Sequence, residues 1–178
     1  MYPFARMFWH LRRHRQDPQT GFMAEHVSHH ICWPWDLDLW GELNNGRTLT
    51  LYDLGRVPAG RRNGLFVALR ANHWGLAVAG ASVRYRKRVL AFDRITMRSR
   101  ALGWDARFIY VEQSMWKSDG QCASHILIRS AITSATGIVP PHQLAAALHW
   151  QGPPPTLPAW VTAWIAAETQ RPWPPMLP

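Results

Sequence analysis

The sequence has 178 residues, of which 47% are hydrophobic and 17% charged; this excludes a disordered tail and indicates one domain with short additions. The formal net charge of +9 favours an anionic partner, such as a phosphorylated cofactor, nucleic acid or an anionic membrane surface, with a basic solvated surface as the alternative. No run approaches the ~20 apolar residues of a transmembrane helix, and no signal peptide is recognisable. Cys32 and Cys122 form no disulfide framework, so we expect a cytoplasmic protein.

Residues 1–23 form a basic N-terminal arm. A short amphipathic piece runs from Phe4 to Leu11 and is followed by a polar, Arg-rich break. We expect this arm to pack onto the domain or to fray; weak contact with a membrane surface, as a basic amphipathic anchor, is the alternative.

The first predicted strand runs from Ala24 to Trp35 and is rich in histidine. On a strand, His26, His30 and Cys32 share one face, which invites a zinc interpretation. There is no second ligand pair with usable spacing and no HExxH motif, so no metal is predicted. Polar strand residues that face solvent or a subunit interface are the favoured interpretation.

Two carboxylates, Asp36 and Asp38, precede a helix-start signal at Asn44-Asn45-Gly46. The pattern predicts a helix from Asn45 to Val57 that stops at Gly55, Pro58 and Gly60. Free N–H groups at a helix start carry partial positive charge and stabilise a developing oxyanion, while a nearby carboxylate acts as base or nucleophile. This stretch is therefore the candidate site for chemistry on a carbonyl.

Further along, the pattern turns to β structure. Strands are predicted at 65–69, 75–83, 89–100, 106–116 and 123–133, with a turn at 103–105 and a strong hairpin signal at Ser118-Asp119-Gly120. One helix followed by antiparallel strands indicates an α+β fold, a curved sheet wrapped on one helix, over residues 24–135. A single helix leaves part of the sheet uncovered, so an oligomeric partner is expected.

The composition shifts again over residues 136–178, which are predicted to form a helical, Pro-rich extension. Short helices are expected at 142–150 and 158–169. The Pro-rich end is expected to fold over the domain or dimer, with docking to a small recognition domain as the alternative.

The string Asp36-Leu37-Asp38 to Asn44-Asn45 resembles the D-x-D-x-x-x-H-x-N-N motif of hotdog-fold acyl-CoA thioesterases, including the 4-hydroxybenzoyl-CoA group and a thioesterase-like subgroup. The resemblance covers roughly residues 24–135. It implies a hotdog fold assembled as a homodimer or homotetramer, an acyl-CoA or acyl-carrier-protein thioester as substrate, and no cofactor apart from coenzyme A as part of the substrate.

The resemblance also implies roles for individual residues. The second carboxylate of the motif, Asp38, would be the catalytic one, and the Asn45 N–H would polarise the thioester carbonyl. Gly46 would let the substrate approach closely, and Asp53 would support the site. Asp36 is expected to be structural.

This chain departs from the motif of the plant-type enzymes at two positions. Trp40 and Glu42 stand where those enzymes carry Asn and His. Glu42 either takes over proton handling or is a loop carboxylate. Trp40 either shapes an acyl pocket or packs in the core or at an interface.

Arg84, Arg86 and Arg88 are predicted to alternate onto one strand face, where they would contact coenzyme A phosphates; a solvated strand end is the alternative. The first hypothesis for the whole chain is a thioester hydrolase. The second is a non-catalytic hotdog protein that binds acyl thioesters or serves as an interaction module. A nucleic-acid binder is not favoured, because no RRM, KH or helix-turn-helix signature is present.

Overall fold

The computed structural model describes residues 2–175. Its elements, in chain order, are α1 (Phe4–Arg13), β1 (His26–Ile31), a 3-10 turn (Pro34–Asp36), α2 (Asn45–Arg62), α3 (Leu65–Ala71), β2 (Gly75–Tyr85), β3 (Arg94–Trp104), β4 (Ile109–Lys117), β5 (Cys122–Ser134), β6 (Gly137–Val139), α4 (Pro141–Ala147) and α5 (Ala159–Gln170). The predicted Pro-rich tail extends over residues 176–178, which lie outside the described range.

The strands form one antiparallel sheet in the order β1-β3-β4-β5-β2, and β6 pairs with β5. Helix α2 packs against β1 and β3. The core between helix and sheet includes Leu51 and Leu54 from α2 and Met97, Met115 and Ile126 from the strands. The predicted α+β architecture, a curved antiparallel sheet around one long helix, is confirmed.

Helix α2 is longer than the sequence predicts. It continues through Pro58 to Arg62 instead of stopping near Val57, and Gly55, Pro58 and Gly60 are all buried. The prediction of a stop was wrong because propensity is a weak prior that tertiary packing overrides.

Gly55 has a packing role in α2. A Cβ at this position would overlap the Met97 Sδ and would lie 3.1 Å from Ser99 Oγ and 3.2 Å from Ser28 Oγ. Glycine therefore lets the helix lie directly on β1 and β3 at this point.

The predicted strand at 65–69 was also wrong, because this segment lies within helix α3. A short apolar run does not distinguish a strand from a buried helix. Ala68 and Leu69 face the core, where they pack in a cluster with Leu144 of α4 and Trp104 of β3. Gly64, with a φ of +80°, separates α3 from the end of α2.

The other predicted strands exist, with shifted bounds. The third strand begins at Arg94 rather than at residue 89, because Val89 and Leu90 pair with the loop before α2 instead. It runs through the predicted turn at 103–105 as far as Trp104. The hairpin signal at 118–120 is confirmed as the connection between β4 and β5, with Gly120 at a φ of +81°.

Both chain extensions pack onto the sheet domain. Met7 and His10 of α1 are buried, as are Leu144 of α4 and Val161 of α5. Within residues 2–175, no helix combines the length and the apolar character needed to cross a bilayer.

Candidate functional site

The loop before α2 is closed on itself and joined to the segment after β2. The Asp38 N–H donates to the Glu42 carbonyl at 2.8 Å, and the Asn44 N–H donates to the Asp36 carbonyl at 2.9 Å. The Leu43 N–H donates to the Val89 carbonyl at 2.8 Å. These bonds bring the basic stretch 86–88 beside the start of α2.

The start of α2 has an exposed amide. The Asn44 side-chain oxygen caps the helix by accepting from the N–H groups of Gly46 at 2.9 Å and Arg47 at 3.2 Å. Asn45 is the first helical residue. Its backbone N–H has no intrahelical acceptor, and this N–H forms no hydrogen bond with any described residue. It is therefore available to a ligand oxygen and carries the positive end of the helix dipole.

A cavity of about 250 Å³ opens at this amide. Four of the predicted site residues line it: Glu42, Asn45, Arg86 and Arg88. Its other lining residues are Leu43, Thr48, Tyr85, Lys87, Val89 and Ser124. The sequence did not single out Thr48, Tyr85 or Ser124, because each reaches the cavity only through the packing of α2, β2 and β5.

Asp38 lies in the adjoining loop and does not line this cavity. Its Oδ1 accepts from the Trp40 N–H at 2.9 Å and from the Glu42 N–H at 3.4 Å. Among the described residues no hydrogen bond is made to Oδ2. One carboxylate oxygen thus holds the loop, and the other takes no part in these bonds.

Glu42 occupies the motif position of the histidine, and its carboxylate lies 3.1 Å from the Arg88 Nε. Trp40 is 78% exposed and does not line the cavity, so the indole does not fill it.

Asp36 is a buried structural carboxylate. It is fully buried and lies 2.6 Å from Arg6 of α1 and 2.7 Å from Arg47 of α2. The Trp33 N–H also donates to it, at 3.1 Å. It thereby joins the N-terminal arm, the 3-10 turn and α2, which is the structural role expected for it.

Asp53 lies further along α2 and belongs to a different environment. Burial raises the pKa of Asp53, while its ion pair with Arg56 opposes that shift. Arg56 donates to Gln113 at 3.0 Å, and Gln113 in turn donates to Ser99 at 2.8 Å. This partly buried polar network joins α2 to β3 and β4.

The predicted alternation of the three arginines on one strand is wrong, because β2 ends at Tyr85. The N–H groups of Arg86 and Lys87 both donate to the Ala123 carbonyl, at 2.8 and 3.1 Å. This irregularity directs the chain from the strand toward the cavity. Arg84 stays on the strand, opposite His125.

His26 and His30 of β1 face inward, so the prediction that they meet solvent or a subunit interface is wrong for these two, whereas His29 is exposed. His26 and His30 are 2% and 4% exposed, and they pack against His14 and His10 of the N-terminal arm, with ring centroids 4.8 and 4.3 Å apart. Within residues 2–175, no group of histidine, cysteine and carboxylate side chains is arranged to hold a metal ion.

The buried histidines predict a loss of stability in mild acid. Burial lowers the pKa of His10 and His26 to about 4, and it also lowers the pKa of His30. The folded state thus holds these rings neutral, whereas the unfolded chain protonates them below about pH 6.5. The unfolding free energy should fall by about 1 kcal/mol per histidine between about pH 7.5 and about pH 5.5.

Urea unfolding at both pH values tests this prediction. The variant His10→Phe should lose about 1 kcal/mol of the pH dependence. His142→Gln, a change at an exposed histidine, is the matched control and should keep all of it. An equal pH dependence in all three proteins would contradict the prediction.

Comparison with known proteins gives one family and one fold. The sequence model of the thioesterase-like superfamily matches residues 32–165. Protein THEM6 of Danio rerio is 34% identical over 131 residues, which are 72% of this chain and 65% of that protein. Protein THEM6 of Xenopus laevis is 35% identical over 91 residues, 51% of this chain and 44% of the relative. The chain thus spans less than two thirds of the length of either relative.

Among solved structures, the probable thioesterase YbaW from Escherichia coli superposes with a TM-score of 0.65 at 17% identity, over 69% of this chain and 96% of YbaW. Slr0204, a 1,4-dihydroxy-2-naphthoyl-CoA thioesterase from Synechocystis, superposes with a TM-score of 0.61 at 12% identity, over 73% of this chain and 100% of Slr0204. Protein SAV2348 from Staphylococcus aureus, solved in complex with CoA, superposes with a TM-score of 0.58 at 12% identity, over 80% of this chain and 95% of SAV2348. At these identities the similarity shows the fold.

Proposed function

Because the chain belongs to the thioesterase-like superfamily, we propose that it hydrolyses an acyl thioester at the cavity where α2 begins. The observation that carries the proposal is the unbonded Asn45 N–H at a helix start, in a cavity whose other wall is basic. A carbonyl oxygen bound to this amide would have its developing negative charge stabilised in the transition state.

Asp38 is the proposed base. Its Oδ2 would take a proton from water, and the resulting hydroxide would add to the thioester carbon. The tetrahedral intermediate then collapses with cleavage of the C–S bond, and the proton passes from Asp38 to the departing thiolate. In the alternative mechanism, the Asp38 carboxylate attacks the thioester carbon directly and displaces the thiolate. Water then hydrolyses the resulting acyl-Asp38 anhydride.

Arg86, Lys87 and Arg88 are proposed to bind the phosphates of the carrier. Guanidinium and ammonium groups suit such anions, and all three line the cavity. The fold neighbour SAV2348 was solved in complex with CoA, which supports a CoA thioester as one substrate class.

A panel of acyl-CoA and acyl-carrier-protein thioesters with short, long and aromatic acyl groups, scored by thiol release from the full chain, tests this function. We expect hydrolysis of at least one class. The absence of turnover across the panel, beside saturable binding of an acyl-CoA, would support the second candidate, a non-catalytic protein that binds acyl thioesters. The observation that favours this candidate is the engagement of Asp38 with its own loop, outside the cavity wall.

We also propose a homodimer that pairs through β2. This outer strand bonds to β5 on one side, and most of its eleven residues are exposed, including Val78 at 58%. A free strand edge of this length favours pairing with a second copy. Sedimentation of the purified chain at the 20.4 kDa monomer mass would contradict the proposal.

A further inference from the structure

A second, larger cavity is built from other elements of the fold. It is a groove between α1, β1 and the start of β3, with a volume of about 750 Å³. Its lining residues do not overlap those of the cavity at the start of α2. This volume is within the ~300–1,000 Å³ range of small-molecule sites.

Part of the wall of this α1 groove is apolar and continues onto an aromatic surface. Trp9, Ile31 and Trp33 line it. Trp33 also stacks on Trp35 with the ring centroids 5.2 Å apart, and Trp35 is 65% exposed. An aliphatic chain laid along this surface would remove apolar area from water on both partners.

The charge in the α1 groove is entirely positive among the described residues that line it. It holds three arginines, Arg6, Arg13 and Arg94, and no carboxylate. Arg6 is compensated by Asp36 at 2.6 Å. Arg13 and Arg94 form no ion pair with any residue of 2–175, and Arg13 lies over the Trp9 ring, 5.2 Å from its centroid. Two uncompensated guanidinium groups thus line one groove, one from α1 and one from β3.

Two buried imidazoles in the same wall each have one ring nitrogen without a hydrogen bond. His10 and His30 are 3% and 4% exposed, and within the described chain neither Nδ1 forms a hydrogen bond. Both atoms are shielded from solvent, so the two rings form a polar wall of the groove and are not direct ligands of its occupant. An anion would fit, because its charge would offset the surrounding cations.

We propose that the α1 groove binds an anionic amphiphile, with the headgroup between Arg13 and Arg94 and the apolar chain along Trp9, Ile31 and Trp33. The headgroup chemistry is that of a guanidinium-binding anion, which a fatty carboxylate or a lysophospholipid phosphate can supply.

Isothermal titration of the full chain with hexadecanoate, below its critical micelle concentration, tests the proposal. We expect saturable binding with one ligand per chain, and at least about 10-fold weaker binding of the uncharged hexadecanol. Titration with a palmitoyl lysophosphatidate distinguishes the two headgroups. Equal affinity for hexadecanol and hexadecanoate, or binding only to anionic vesicles and not to single amphiphiles, would overturn the proposal.

The variants Arg13→Gln and Arg94→Gln should each weaken hexadecanoate binding by about 10-fold. Arg12→Gln removes an exposed charge from the same helix but not from the groove, and it is the matched control. Because Arg13 and Arg94 are exposed and form no ion pairs in the described chain, both variants should stay folded, which a thermal scan checks. Unchanged affinity in both folded variants would overturn the proposal. Asp38→Asn should bind hexadecanoate like the parent, so this test is independent of thioester hydrolysis.

Discussion

The Asp38→Asn variant is expected to lose at least about 100-fold in kcat for thioester hydrolysis, because an amide cannot accept the proton of water or attack the carbonyl. The fold should be retained. The Asn side-chain oxygen can still accept from the N–H groups of Trp40 and Glu42, which are the bonds that Asp38 Oδ1 makes. Thiol-release kinetics and a urea unfolding curve on the same preparation measure the two properties.

Glu42→Gln is the matched control, because Glu42 is the neighbouring carboxylate and lines the cavity. The Glu42→Gln variant loses the exposed ion pair with Arg88, in which the two atoms lie 3.1 Å apart. Because Arg88 is proposed to bind the carrier phosphates, KM should change more than kcat. A loss of kcat in Glu42→Gln with none in Asp38→Asn would contradict the assignment and transfer the base to Glu42.

Asp36→Asn is expected to lower the unfolding free energy by about 3–5 kcal/mol. The carboxylate is fully buried and compensates two guanidinium groups, Arg6 at 2.6 Å and Arg47 at 2.7 Å. A neutral amide would remove the negative charge that both partly buried guanidinium groups face, and it cannot accept all the bonds that the two carboxylate oxygens accept. Urea unfolding near neutral pH gives the value directly.

A double-mutant cycle separates the ion pair from general disruption of the loop. Asp36→Asn combined with Arg6→Gln should lose clearly less than the sum of the two single variants, because both changes break the same Arg6–Asp36 ion pair. Asp38→Asn, two residues away, is the control and should change stability by less than about 1 kcal/mol. A loss of less than about 1 kcal/mol for Asp36→Asn would contradict the structural role.

The features that the sequence predicted correctly are set by neighbouring residues or by the family motif. The Asn44 cap and the start of α2 at Asn45 depend on a side chain bonding to amides two and three positions away. The turn at 118–120 depends on a glycine that tolerates a φ of +81°. The resemblance around Asp36 and Asp38 predicted the hotdog fold, which the family match and the structural neighbours confirm.

Four features needed the tertiary structure, because each depends on contacts between residues distant in the chain. α2 passes through Pro58 since its buried face packs closely on β1 and β3. Helix α3 replaces a predicted strand because its apolar residues pack against α4 as well as the sheet.

The same reason applies to side chains. His26 and His30 are buried because α1 docks against that strand face. The cavity at Asn45 combines residues from α2, β2, β5 and the segment after β2. That segment lies beside the start of α2 because the loop before the helix bonds to Val89. The sequence alone determined the fold and the local capping at the helix start; only long-range packing decided which charged groups meet in one cavity.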